Sequence, residues 1–327
     1  MVYTISLFSL LMPQDSTYKF SHGADTIHLA DSLALVRPET DTKISTLSAK
    51  ALQENESIGP TGENQIIFGI SLLIAFLLIK YARFRWLNRK MDSIYLEKRF
   101  SYDGILSNHN PYYRSLDEEN KDRFLKRVIF FIEGKEFEYV DMEGEEQMPV
   151  LISAAAIQLT FGLEHYMLNY FKKIFILKNE YRYGSYSQPF EGNVSDEGIY
   201  FSWSNFSNEY NNYTDGENVG LHEMAHALTY VNFTVQDGMD DSFRSKFYAF
   251  SPIARPIFEK MQAGTKTLLD KYAATSYEEF WAVCIETFFE RPLPFREQLP
   301  DLYAGLCQLL NQDPTTRAKI LQPAGSQ

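Results

Sequence analysis

Residues 219–228 read VGLHEMAHAL, with HEMAH at 222–226. Residues four apart lie on one face of an α-helix, about one turn from each other, so both imidazoles can reach a single ion. Glu223 projects beside His222 and His226, where its carboxylate can contact a water molecule held by the ion. The pattern predicts a helix that supplies two zinc ligands, with Glu223 as the general base. The alternative is a helix with two incidental surface histidines.

The composition limits the kind of protein that carries this motif. The chain has 327 residues, of which 45% are hydrophobic, enough for a sizeable core. Thirty-one Lys and Arg against 43 Asp and Glu give a formal net charge of −12. Phosphate recognition needs a basic surface, so direct binding of nucleic acid is excluded. Two cysteines are too few for a cysteine-rich zinc site, whereas six histidines leave a histidine site open.

A zinc site needs a third protein ligand, and the best candidates lie in a second predicted helix. Residues 276–286 read SYEEFWAVCIE, and Ser276 is a suitable N-terminal cap. Glu278 or Glu279, near the start of this helix, is placed to reach an ion on the first helix, and periodicity alone does not choose between them. Glu286 lies seven residues after Glu279 and therefore on the same face, two turns further on.

Around these helices the sequence predicts an α+β domain. SLDE at 115–118 has the form of a capping box that opens an amphipathic helix, which Gly134 ends. Residues 150–163, VLISAAAIQLTFGL, predict a central buried helix. Runs rich in β-branched and aromatic residues predict strands at 174–177 and 199–203. The second of these strands is expected to offer its edge to an extended peptide.

One segment of the chain is apolar without interruption. Residues 66–79, IIFGISLLIAFLLI, contain no charged side chain. They are fewer than the about 20 residues that a helix needs to cross a bilayer. The flanking Tyr81, Phe84 and Trp86 extend the segment with aromatic residues typical of the membrane interface. The sequence therefore predicts a transmembrane helix at 64–86, and the alternative is a buried core helix.

Charges on either side of this segment predict its orientation. Acidic residues precede it, at Glu54, Glu56 and Glu63. Basic residues follow it, at Lys80, Arg83, Arg85, Arg89 and Lys90. Because basic flanks remain in the cytoplasm, we expect a single-pass protein of the bacterial inner membrane with a cytoplasmic peptidase domain at 87–327. Residues 1–63 are expected to be a poorly ordered extracytoplasmic segment with a weakly signal-like start.

Longer stretches of the chain resemble a known family. DGENVGLHEMAHAL at 215–228 and YAATSYEEFWAVCIETFFERP at 272–292 are similar to the zinc peptidases typified by Mlc titration factor A. The resemblance extends roughly from Leu96 to Pro314. It implies a zincin-like metallopeptidase fold of the gluzincin type, with a site related to that of anthrax lethal factor.

The resemblance also implies roles for individual residues. In the family the third ligand is a Glu seven residues after a motif Tyr, and Tyr272 and Glu279 have that spacing. The implied ligands of Zn²⁺ are His222, His226 and Glu279. Glu223 would be the general base and Tyr272 a hydrogen-bond donor to the transition state. Glu286 matches an acidic position of the family that can support the ligands from behind, and the alternative is a helix-surface or buried paired carboxylate.

The chain departs from the family directly after the histidine motif. The family continues with Lys-Leu-Asp, whereas this chain has Ala227, Leu228 and Thr229. The carboxylate expected at position 229 is therefore absent, which predicts weaker metal affinity unless another group replaces it.

Together these features predict a membrane-anchored zinc metallopeptidase that hydrolyses peptide bonds through a metal-activated water. The expected partners are a peptide or protein substrate and, through residues 64–86, a lipid bilayer. The resemblance also implies an alternative function, a regulatory protein that binds and sequesters a transcriptional repressor. In that case the metal site is structural or vestigial.

Overall fold

The computed structural model describes residues 60–182, 190–235 and 238–318. The chain divides into two units, Met1–Lys90 and Met91–Gln327. Over the described residues the fold is mixed α+β and mostly helical, in agreement with the predicted class.

Helix α1 runs from Pro60 to His109 and contains the apolar segment. The large apolar side chains at 66–79 are between 51% and 67% exposed, which is not the exposure of a core helix. Asn64–His109 is long and apolar enough to cross a membrane, with a mean hydropathy of 2.1 in its most apolar window and none of that window buried. The helix begins four residues before position 64, and residues 1–59 of the predicted extracytoplasmic segment lie outside the described residues.

Helices α2 and α3 precede the sheet and run over Pro111–Arg114 and Glu118–Glu133. The capping box predicted at 115–118 is wrong, because the N-terminal cap of α3 is Asp117. The Asp117 carboxylate accepts a hydrogen bond from the backbone N–H of Asn120 at 2.8 Å. The Ser115 hydroxyl instead donates to a backbone carbonyl of α2 at 2.7 Å. The end of α3 at Gly134 is confirmed.

Helix α4, Gln147–Thr160, is the buried helix that the sequence predicts, although it begins three residues earlier than position 150. From Val150 to Thr160 every residue is buried. The helix connects the parallel strands β1 and β2, which require a crossover of this kind. It packs between α3 and the helix that carries the histidine motif.

Four strands form one sheet in the order β1-β2-β4-β3. Their bounds are Glu136–Val140 for β1, Lys173–Leu177 for β2, Gly192–Val194 for β3 and Ile199–Ser202 for β4. Strands β1, β2 and β4 are parallel, and β3 is antiparallel to β4. The two predicted strands are confirmed to within one residue at each end. Strands β1 and β3 were not predicted, since one alternates with charged residues and the other has only three residues.

The position of β4 corrects one expectation. Because β4 lies between β2 and β3, residues 199–203 do not offer a free edge. The edge on this side of the sheet belongs to β3, which pairs with β4 through Asn193 opposite Tyr200.

Helix α5, Trp203–Asn211, occupies part of the stretch 205–217, whose polar composition predicts a loop. Among its Asn and Ser residues, aromatic residues recur at helical spacing and form a stripe along one face. The rings of Trp203 and Tyr210 both stack on Phe206, with centroids 5.5 and 5.2 Å away. Packing of this stripe outweighs the low helix propensity of its neighbours.

The remaining helices form the second half of the unit. They are α6 (Val219–Thr229), a π-helix (Tyr230–Val235), α7 (Asp241–Gln262), a 3-10 helix (Lys271–Ala274), α8 (Tyr277–Glu290), α9 (Pro292–Gln298), α10 (Pro300–Leu310) and α11 (Thr315–Ala318). The indole N–H of Trp281 in α8 donates to the backbone carbonyl of Ala225 in α6 at 3.0 Å. This buried bond fixes the two predicted site helices against each other.

Candidate metal centre

Helix α6 places the two histidines of the motif side by side. Its N-terminal cap is Asn218, whose side chain accepts a hydrogen bond from Leu221 N at 2.9 Å. One turn later the ring centroids of His222 and His226 are 4.7 Å apart, and their Nε2 atoms are 3.1 Å apart. Both imidazoles therefore present the same nitrogen to one point, as the spacing predicts.

Helix α8 brings a carboxylate to that point. The predicted cap is confirmed, since Ser276 Oγ accepts from the backbone N–H of Glu279 at 3.1 Å. Glu279 Oε2 lies 2.9 Å from His222 Nε2 and 3.6 Å from His226 Nε2. Of the two glutamates that periodicity leaves open, Glu279 is the one that joins the histidines.

The three groups have the geometry of a metal site. His222, His226 and Glu279 each offer one ligand atom, and these atoms lie within 4.8 Å of one another. Ligands placed 2.0–2.1 Å from a tetrahedral Zn²⁺ are about 3.3 Å from each other. The observed separations of 2.9, 3.1 and 3.6 Å lie around that value. Two imidazoles and one carboxylate are also a donor set of catalytic zinc sites, so the residues present fit this ion.

Glu286 lies behind His222, at the ring nitrogen that faces away from His226 and Glu279. Its Oε1 is 2.5 Å from His222 Nδ1, and its Oε2 accepts from the backbone N–H of Asn218 at 2.9 Å. A carboxylate at Nδ1 fixes the ring and leaves Nε2 free for a metal. At position 229 the Thr hydroxyl donates to the backbone carbonyl of His226 at 3.0 Å instead. The carboxylate beside the His222 ring thus comes from α8 and not from position 229.

The carboxylates and imidazoles of this site shift one another's pKa values. Burial alone would lower the pKa of His222, but the carboxylates of Glu286 and Glu279 outweigh it and hold the pKa well above its usual value. Burial alone would raise the pKa of Glu279, but the two imidazoles outweigh it and lower the pKa. Both shifts have one origin, a buried negative carboxylate facing groups that can carry positive charge.

Glu223 stands apart from the three converging ligand atoms. Only 6% of the residue is exposed, and its Oε2 has no hydrogen-bond partner among the described residues. Burial is the main cause that raises the pKa of Glu223. Strand β3 lies directly against it, since a Cβ on Gly192 would be 2.5 Å from Glu223 Oε1. Only glycine permits this close approach between the edge strand and the carboxylate.

Tyr272 is also brought to the site, at a greater distance. It lies in the 3-10 helix, and the centroid of its ring is 6.2 Å from that of His222. The residue is 51% exposed, and burial followed by the charge of Glu279 raises its pKa. The phenol therefore keeps its proton and can donate a hydrogen bond at neutral pH.

Two carboxylates that the sequence reasoning missed hold the segment before α6. Glu209 of α5 accepts a hydrogen bond from the backbone N–H of Val219. Glu290 accepts from Gly216 N at 3.0 Å and from the side chain of Asn218 at 2.8 Å. The spacing of Glu290, four residues after Glu286 on an otherwise apolar helix, is a signal that could have found it. Nothing in the sequence around Glu209 points to the site.

Comparisons with known proteins agree with this geometry. Residues 85–310 match the family described as glucose-regulated metallo-peptidase M90. An uncharacterized protein of Synechocystis sp. is 22% identical over 224 residues, which are 63% of this chain and 81% of that protein. Mlc titration factor A of Edwardsiella ictaluri is 30% identical over 108 residues, 31% of this chain and 41% of that protein. The factor of the same name from Cronobacter sakazakii is 26% identical over 128 residues, 37% of this chain and 48% of that protein.

The two kinds of match differ in extent. The chain spans less than half of the length of either titration factor, whereas the family match takes in the whole sheet together with α6 and α8. A match over more than two thirds of the chain, including every residue of the candidate site, shows that this protein belongs to the glucose-regulated metallo-peptidase M90 family, to which the resemblance to Mlc titration factor A also pointed.

Proposed function

We propose that the chain is a membrane-anchored zinc peptidase that hydrolyses peptide bonds in a peptide or a flexible protein segment. His222, His226 and Glu279 would hold Zn²⁺, as the convergence of their ligand atoms supports. The observation that carries the proposal is the state of Glu223. Its buried Oε2 has no hydrogen-bond partner among the residues that the structure describes, which is costly, and beside the proposed metal site such an oxygen can bind a proton during catalysis.

Each side chain of the site then has a defined task. Zinc held by these residues would supply Lewis-acid polarisation of the peptide carbonyl and of an attacking water. Glu223 takes a proton from that water and delivers it to the leaving amine, for which a raised pKa is suited. Tyr272 donates a hydrogen bond to the oxyanion that develops on the carbonyl. Glu286 keeps the His222 ring in the orientation that directs Nε2 to the metal.

The substrate path follows from the sheet. Gly192 of β3 lies against Glu223, and an extended peptide can pair with the edge of β3 that does not face β4. A peptide that pairs with β3 would bring its backbone to the carboxylate. We therefore propose β3 as the strand that pairs with a peptide, in place of β4, which is paired with strands on both sides.

The anchor is proposed from α1. Residues 64–86 would cross the inner membrane of a bacterium once, and the basic residues that follow would place residues 87–327 in the cytoplasm. A reporter that works only in the cytoplasm should therefore be active when it is fused after Gln327. A signal from an externally active reporter would contradict this orientation.

Glu223→Gln tests the catalytic part of the proposal. The full chain in detergent is loaded with zinc, and both zinc content and cleavage of a peptide library are measured. We expect zinc to remain bound and cleavage to fall about 10²–10⁴-fold, the contribution of a general base. Glu259→Gln, an exposed position on α7, is the matched control and should cleave at the parent rate. Cleavage at the parent rate by zinc-loaded Glu223→Gln would show that the assignment is wrong.

A second function is supported by the names of the relatives. Two of the relatives described above are called Mlc titration factor A, a name that points to binding of a transcriptional regulator. In this case the chain would sequester a repressor, and the metal site would hold the binding surface in shape. If parent and Glu223→Gln both fail to cleave while a repressor still binds to each, this second function is the correct one.

A further inference from the structure

A cavity of about 530 Å³ opens beside the first turn of α6 and reaches the candidate site. This size is within the range of ligand pockets, about 300–1,000 Å³. Six carboxylates line it, from Glu191, Glu209, Glu217, Glu223, Asp270 and Glu286. None of the described residues that line it is a lysine or an arginine.

The carboxylates are arranged from the mouth inward. Glu191, Glu217 and Asp270 are exposed, whereas Glu209 is half-buried and Glu286 is buried. Burial and then the charges of nearby carboxylates raise the pKa of Glu209 to about 7. The pKa of Glu217 is raised as well, by burial and by its acidic neighbours. So many like charges repel one another unless a cation lies among them.

A second observation joins the cavity to the candidate metal site. Glu223, whose Oε2 is buried without a hydrogen-bond partner among the described residues, is one of the residues that line the cavity. The remaining wall is apolar where Phe190, Val219 and Val283 contribute. An apolar wall between carboxylates suits a side chain with an aliphatic stem and a charged head.

We propose that this cavity receives the lysine or arginine side chain of the substrate residue that flanks the cleaved bond. The stem would pack on the apolar wall, and the ammonium or guanidinium would lie among Glu209, Glu217 and Asp270. The inference rests on the proposed peptidase function, because the cavity shares His222 with the candidate metal site and is also lined by Glu223, the proposed general base. It makes this chain a peptidase that selects basic residues.

The same chemistry has another source in a peptide, the free α-amino group. The carboxylates extend from the exposed mouth of the cavity to its buried end. A long Lys or Arg side chain can reach along this distance, which favours the side chain over the α-amino group. The experiment separates the two sources with peptides whose N-terminus is acetylated, in which only side chains carry positive charge.

The test uses the zinc-loaded full chain in detergent and acetylated peptides that differ at one position, with Lys, Arg, Met or Gln beside the cleaved bond. Cleavage products are identified by mass spectrometry, and kcat/KM is measured for each peptide. We expect Lys or Arg to exceed Met by at least about tenfold, the effect of a charge-assisted contact. In the double variant Glu209→Gln, Glu217→Gln the ratio of Lys to Met should fall by at least about tenfold. Glutamine at 209 retains an acceptor for the Val219 N–H, and Glu259→Gln is the control that leaves the ratio unchanged.

The outcomes separate this inference from the function on which it rests. If the parent cleaves no peptide at all, the proposed peptidase function is wrong and the inference falls with it. If the parent cleaves but shows no preference for Lys or Arg, only the inference is wrong. Cleavage limited to peptides with a free N-terminus, or a preference that survives in the double variant, would also overturn it.

Discussion

The two ends of α6 are held in opposite ways. Before and at its first residue, backbone N–H groups donate to three carboxylates, those of Glu290, Glu286 and Glu209. Its last turn passes into the π-helix, which packs among aromatic rings. Phe233 of the π-helix contacts the rings of Phe243, Phe247 and Tyr248, and Phe247 in turn contacts Trp281.

The difference suggests a division of roles, in which one end of α6 contributes folding free energy and the other end carries the ionisable groups. Carboxylates complement the partial positive charge of a helix N-terminus, but burial raises the pKa of Glu209 to about 7 and that of Glu290 to about 9. The aromatic end contains no such conflict, and burial of large rings is the strongest local source of folding free energy. We infer that the apolar end stabilises α6 well enough for its polar start to carry unfavourable charge.

The largest effect is expected where the polar start meets α8. Replacing Glu279 by Ala removes one of the three proposed ligands, so zinc affinity should fall by more than the about 10–100-fold lost with a supporting partner, and cleavage should disappear. Zinc content and peptide cleavage are the measurements. Glu278→Ala, one position earlier on the same helix, is the matched control and should retain zinc. Loss of zinc from the control but not from Glu279→Ala would reverse the assignment.

The next largest effect tests the apolar end. Phe247 is 1% exposed, and its ring centroid lies 5.0 Å from that of Phe233 and 5.3 Å from that of Trp281. Phe247→Ala should lower the free energy of unfolding by about 3–5 kcal/mol, because it leaves a cavity among rings. Urea unfolding followed by tryptophan fluorescence measures it. A change below about 1 kcal/mol would mean that this end does not stabilise the helix.

A smaller effect is expected for the carboxylate behind His222. Glu286→Gln should raise the zinc dissociation constant about 10–100-fold, since the ring loses the partner that fixes it. A competition titration with a chelator gives the constant. Glu290→Gln, one turn further along α8, touches no proposed ligand and should change the constant much less. Equal effects of the two changes would mean that both carboxylates act only by holding the backbone before α6.

The smallest effect is expected for the dependence of the free energy of unfolding on pH. Burial raises the pKa of Glu290 from 4.5 to about 9, so between these values the folded chain holds a proton that the unfolded chain has lost. Stability should therefore decrease as pH rises from 5 to 9, with a slope of at most about 1.4 kcal/mol per pH unit from this group. In Glu290→Gln the slope measured by urea unfolding should be shallower. An unchanged slope would show that Glu290 does not contribute.

The parts that the sequence predicts correctly depend on local spacing. The distance from His222 to His226, the cap at Ser276 and the apolar run in α4 are each contained within a few turns of helix. Placing Glu279 needed the family resemblance in addition, because adjacent positions of a helix cannot be separated by periodicity.

The parts that were missed depend on contacts between distant segments. Strand β3 has three residues without an apolar pattern, and only its pairing with β4 makes it a strand. The role of Glu209 follows from a hydrogen bond to Val219 in the next helix, and the approach of Gly192 to Glu223 joins residues 31 positions apart. No window of sequence contains such information.

The separation of Glu279 from His222, which is 57 residues along the chain, has a consequence for synthesis. The ribosome delivers a chain from its N-terminus, so the sheet and the histidine helix emerge while α8 is still unmade. Until residues beyond Glu286 leave the exit tunnel, the nascent chain lacks both Glu279, the proposed third ligand, and Glu286, the carboxylate beside His222. A proteolytic activity built in this order would switch on only when translation of the domain is nearly finished.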